Sequence, residues 1–102
     1  MNRKLQDDLT DKLFEAILLL ESKAECYSFF EDVGTVAEIK ALAQRLEVAK
    51  MLDQGKTYRE IHDETGASEA TISRVSRSLN YGADGYQLIL NRLKSLKEGE
   101  SK

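Results

Sequence analysis

The chain has 102 residues, with 15 Lys and Arg against 18 Asp and Glu, a formal charge of −3, no Pro, and one Cys and one His. That length suits one domain with little core to spare. Its longest uncharged apolar run, Ala16 to Leu20, is far too short for a bilayer, so no membrane partner is expected. Nothing at the N-terminus reads as a cleavable signal, and a lone Cys26 fits a reducing cytoplasm. One Cys and one His cannot build a structural zinc site, and no metal is expected. The acidic balance argues against indiscriminate coating of nucleic acid but leaves room for a local basic patch.

The absence of Pro and the abundance of good helix formers predict an all-α chain. One domain is expected over 1–97, followed by a disordered tail at 98–102 where glycine and charge replace the apolar pattern. Capping boxes require a Ser, Thr or Asp with a Glu or Gln three residues later. Ser22–Glu25, Thr35–Glu38, Thr57–Glu60 and Asp84–Gln87 all fit, and Gly34, Gly55, Gly66 and Gly82 mark helix ends. Six helices follow, near 3–21, 25–33, 36–54, 58–65, 69–80 and 85–97.

The first helix carries a stripe of Leu5, Leu9, Leu13, Ile17, Leu20 and Ala24, yet residues 13–20 are apolar on nearly every side. A helix apolar all round is buried all round, which points to a core shared by two chains. Cys26 reads as a small apolar residue, and Tyr27, Phe29 and Phe30 as core or dimer contacts. Ile39, Leu42, Ala43, Leu46 and Ala49 form the stripe of the third helix, and Tyr86, Ile89, Leu90 and Leu93 that of the last.

Residues 57–80, TYREIHDETGASEATISRVSRSLN, have the layout of a helix-turn-helix. Ser68 is the expected N-cap of its second helix, and Ile61, Ile72, Val75 and Leu79 are expected to lock the pair. The outer face then presents Glu69, Ala70, Thr71, Ser73, Arg74 and Arg77. Small and hydroxyl side chains admit a helix to a DNA groove, and Arg can pair with phosphate or guanine. His62 and Thr65 depart from the usual pattern of a small and an apolar residue at those positions. Lys56, Arg59 and Arg77 are candidate phosphate contacts, and His62 a surface or phosphate-facing side chain. Basic Lys56, Arg59, Arg74 and Arg77 are balanced by Glu60, Asp63, Glu64 and Glu69, so base contacts or DNA shape must supplement charge. No paired carboxylates, phosphate loop or catalytic triad is visible, so no catalytic residue is nominated.

Read with the third helix, the segment resembles the Trp repressor family. The match runs through Ala41-Leu42-Ala43-Gln44-Arg45, Leu52-Asp53-Gln54-Gly55, Arg59-Glu60, Gly66-Ala67 and Ala70 to Leu79. The resemblance implies an intertwined all-helical homodimer that binds double-stranded DNA, a palindromic operator, as a transcriptional repressor. The rival is a helical dimeric interaction module that has lost DNA binding. Arg45 and Arg74 resemble the arginines flanking a small-molecule corepressor, and Thr35 and Ser78 the positions holding its carboxylate and amino groups. Val75 stands where Trp repressors keep a glycine beside the ligand's ring, so L-tryptophan is not the expected corepressor.

Overall fold

Helices begin where a side chain can take up the backbone amides that the first turn leaves unpaired. The computed structural model describes residues 4–100, and within them α1 (Asp8–Ile17), α2 (Lys23–Val33), α3 (Val36–Asp53), α4 (Tyr58–Thr65), α5 (Glu69–Tyr81) and α6 (Gly85–Glu100), with no strand. The chain divides into two units, one up to Ile39 and one from Lys40 onward.

In the first unit α1 is much shorter than the expected 3–21. Asp7 Oδ1 accepts the Thr10 amide at 2.7 Å and starts the helix late. Leu19 and Leu20 then bond back to Ala16 and Ile17, tightening the last turn and ending it early. Leu5 therefore precedes α1 and Ala24 belongs to α2, so the six-residue stripe is not the face of one helix. Arg3, its expected first residue, lies outside the described residues. Ser22 Oγ accepts the Glu25 amide, while Glu25 Oε1 reaches one residue further back than a standard box, to the Glu21 amide. Phe29 and Phe30 meet edge to face with centroids 5.3 Å apart. No residue of α1 or α2 is buried.

The second unit is organised by how its helices stop. Gly55 is left-handed at φ 81°, its amide bonding Leu52 O and that of Lys56 bonding Met51 O, the paired closure of a Schellman motif. Gly66, at φ 75°, ends α4 with one bond to His62 O. Gly82 is needed for another reason: a Cβ there would collide with the Ser78 carbonyl. The Asp84–Gln87 box does not form. Asp84 is left-handed at φ 68°, which its short polar side chain tolerates. Gln87 Nε2 instead reaches Leu79 O at 3.4 Å. The sixth helix runs past the expected end at Lys97 to Glu100, and Ser101 and Lys102 lie outside the described residues.

Val48, Ala49, Met51, Ile61, Ala67, Ile72, Val75, Leu79 and Leu90 form the buried core, with Leu52 and Tyr86 packed against it. Helix α5 packs on both α4 and α6. An ion pair at 2.6 Å, Lys94 Nζ to Asp53 Oδ2, ties α6 to the end of α3.

Thr65, the polar residue where an apolar one was expected, holds the turn. Its Oγ1 donates to Ile61 O at 2.7 Å and accepts the Ala67 amide at 3.1 Å. Gln44 Nε2 on α3 donates to Thr65 O at 3.1 Å. Replacing Thr65 by Val keeps the shape and removes both hydroxyl bonds. Urea unfolding is expected to record a loss of about 1–2 kcal/mol, with faster hydrogen exchange at the Ala67 amide.

Reciprocal boxes form at Thr35–Glu38 and Thr57–Glu60. Hydrogen bonds, chiefly from the Thr35 and Thr57 backbone amides, hold the Glu38 and Glu60 carboxyls below their ordinary values. Carboxyls depressed in the folded state add stability above the unfolded-state value and lose it as the pH falls through the folded one. Stability is expected to drop in that acidic window, less steeply in Glu60→Gln. Thr57→Ala is expected to cost about 1 kcal/mol at neutral pH.

Candidate nucleic-acid interface

The inner face of α5 is set by Ile72, Val75 and Leu79, all buried. Glu69, Ala70, Ser73, Arg74 and Arg77 are exposed on the same helix. Thr71 is the exception in the expected row. It is half-buried, its Oγ1 accepting from Ser68 Oγ at 3.0 Å and its amide donating to that same oxygen at 3.1 Å. Ser68 thus caps α5 as the sequence predicts and also restrains the Thr71 side chain.

Arg59, Arg74 and Arg77 are exposed and pair with no carboxylate among the described residues. Lys56 is exposed and acts on Glu60 through its charge, while Glu60 itself is drawn back to the Thr57 cap. The nominal balance of charges in the segment therefore overstates what cancels locally. One acid is committed to the backbone, and three guanidinium groups remain free for an external anion.

Arg59, His62 and Glu69 come together in a cleft of about 400 Å³ between α4 and α5, with Tyr58 beside them and buried Ile72 as part of its lining. His62 Nδ1 lies 2.8 Å from Ala67 O. A carbonyl only accepts, so Nδ1 carries the proton and donates. His62 and Thr65, the two departures from the usual motif, both fasten the turn. Tyr58 was not singled out by sequence, although its place between the Thr57 cap and Arg59, four residues before His62, puts it on their face. Gln44 gave no such signal, because its partner is a backbone carbonyl 21 residues away.

The nominated ligand residues come from both units of the chain. Thr35 belongs to the first unit and caps α3. Arg45, Arg74 and Ser78 belong to the second, are exposed, and share no side-chain hydrogen bond. Val75 is 2% exposed and packed within the core. Among the described residues no group of three or more His, Cys, Asp or Glu is placed to hold a metal ion. Among the described residues no helix is long and apolar enough to cross a membrane.

Comparison with known proteins bears on this geometry. The family model described as Trp repressor protein matches residues 8–94. YerC, an uncharacterised protein of Bacillus subtilis strain 168, is 55% identical over 98 residues, covering 96% of this chain and 94% of that protein. A TrpR-like protein from Eubacterium eligens superposes with a TM-score of 0.87 at 56% identity, covering 91% of this chain and 96% of that one. The crystal structure of a candidate Trp repressor from Staphylococcus aureus gives 0.85 at 57% identity, over 89% and 91% of the two chains. With the match running from the start of α1 into α6, the chain belongs to the Trp repressor family.

Proposed function

We propose that the protein is a cytoplasmic transcription regulator that binds a palindromic DNA operator as an intertwined homodimer, most simply as a repressor. The observation that carries this reading is the outer face of the helix-turn-helix. There three unpaired arginines and the small side chains of Ala70 and Ser73 stand over a buried inner stripe. In this reading Lys56, Arg59 and Arg77 supply phosphate contacts, and Arg74 with Ala70 and Ser73 faces the groove. Repression rather than activation rests on the family alone.

The dimer is supported by apolar surface that water disfavours. Leu9, Leu18 and Leu19 are about four-fifths exposed. Leu88, Ile89, Leu93 and Leu96 on α6 are exposed as well. A second copy would cover such surface and set two recognition helices about 34 Å apart, one turn of DNA.

No corepressor is needed in this reading, and L-tryptophan in particular is not used. Val75 fills core space that a glycine would leave open, and its stiff branched side chain cannot swing aside easily. Forcing a ring into such a packed site typically costs about 1–3 kcal/mol.

Selection of bound duplexes from a random pool, followed by mobility shift, tests the DNA reading. A preferred sequence is expected, and Arg59→Ala should weaken all duplexes alike and lower the salt slope by about one. Arg74→Ala should change which bases are preferred. No binding to any duplex would leave the interaction-module alternative. Sedimentation should give about twice the chain's 11.5 kDa, and calorimetry no heat with micromolar L-tryptophan. A stable wild-type monomer would overturn the dimer, and operator affinity that rises with L-tryptophan would overturn the ligand argument.

A further inference from the structure

The motif residue that the DNA reading leaves without a defined chemical role is His62, the chain's one histidine. Its ring is held from one side only. Nδ1 donates to Ala67 O at 2.8 Å, and Nε2 has no partner among the described residues. The side chain is exposed and lines the α4–α5 cleft beside Arg59, an unpaired cation. That combination fixes more than a position. With its proton committed to Nδ1, a neutral imidazole offers Nε2 as a bare lone pair. A phosphate oxygen, also an acceptor, is repelled by it. Only after a second proton is bound does Nε2 become a donor carrying positive charge.

We propose that His62 is a phosphate ligand of the reading unit whose charge is acquired on the DNA, each engaged protomer taking up one proton as it binds. The proposal rests on the DNA-binding reading above and adds proton coupling to it. In the balance, free imidazole plus a solvent proton gives imidazolium, with no other bond made or broken. Titratable and charged groups lie around the ring in the cleft and along its helix. Arg59 and Tyr58 come from α4 and Glu69 from α5, while Asp63 and Glu64 follow on its own helix, both exposed. One cation and one carboxylate thus share the cleft before DNA arrives, and the duplex adds phosphate charge that favours the protonated ring. A group whose proton affinity is raised in the complex contributes its full binding effect at low pH. It loses that effect as the pH rises through the value in the complex.

The test measures affinity for duplexes enriched from a random pool, at constant salt, between about pH 5.5 and 8.5. Wild type should lose up to about tenfold per pH unit for each engaged protomer. Calorimetry in buffers of different ionisation enthalpy should report up to one proton taken up per protomer. His62→Lys, permanently charged, should bind tightly with a much flatter pH profile. His62→Gln, permanently neutral, should bind weakly and equally flatly, and circular dichroism should show both variants folded. Sequence-preferring binding that does not vary with pH in wild type overturns this proposal alone. So does a wild-type slope retained in both variants, or an affinity that rises with pH. Absence of preferred binding at every pH overturns the DNA reading and this proposal with it.

Discussion

Thr65 Oγ1 donates to the carbonyl of Ile61 and accepts the amide of Ala67, so a single oxygen spans the corner between α4 and α5. An apolar residue would leave that amide to find another partner. The arrangement on either side follows from it. Ala67 is drawn into the core with Ile61 and Ile72. Its carbonyl then lies where His62 can donate to it, and Ser68 is left to open α5. Gln44 secures the same corner from α3, the long helix that also contributes Val48, Ala49 and Met51 to the core. The outer face of α5 is therefore aimed by a hydrogen-bonded corner and a small apolar core acting together.

Much of this was legible because the relevant forces are local. The starts of α4 and α5 could be read from Thr57, Glu60 and Ser68, since a cap is written within four residues. The ends of α3 and α4 could be read from Gly55 and Gly66, where left-handed backbone makes glycine the natural choice. Prediction failed where a residue type admits two uses. Asp84 looks like an N-cap, but its backbone is left-handed, so its side chain does not meet the first amides in the capping geometry. Asp7 competes with the apolar pattern that suggested an earlier start to α1, and the local cap prevails. Thr71, expected on the outer row, is half-buried with its hydroxyl bonded to Ser68, and its part in reading DNA stays a proposal. Gln44 was silent because a polar side chain on a long helix does not announce which distant carbonyl it meets.

The fate of residue 75 links packing to regulation. A glycine on the inner side of a recognition helix leaves space that a ligand's ring can complete. Valine completes it from within the chain, and the core closes around it together with Leu79 and Leu90. On the DNA-binding reading proposed above, such packing would give up responsiveness to a small molecule in exchange for a helix whose seat does not depend on one.

The two glycine closures also shape how the chain reaches this structure. Gly55 and Gly66 turn α3 into α4 and α4 into α5 through connections of only a few residues, so the buried side chains of the second unit meet others close by in sequence. Little loop-closure entropy opposes such contacts, and chains dominated by them fold quickly. The corner between α4 and α5 can therefore form on the time scale of a single molecule's search. In the proposed dimer, covering the exposed leucines of the first unit and of α6 with a second chain would be a bimolecular step, its rate set by how much protein is present.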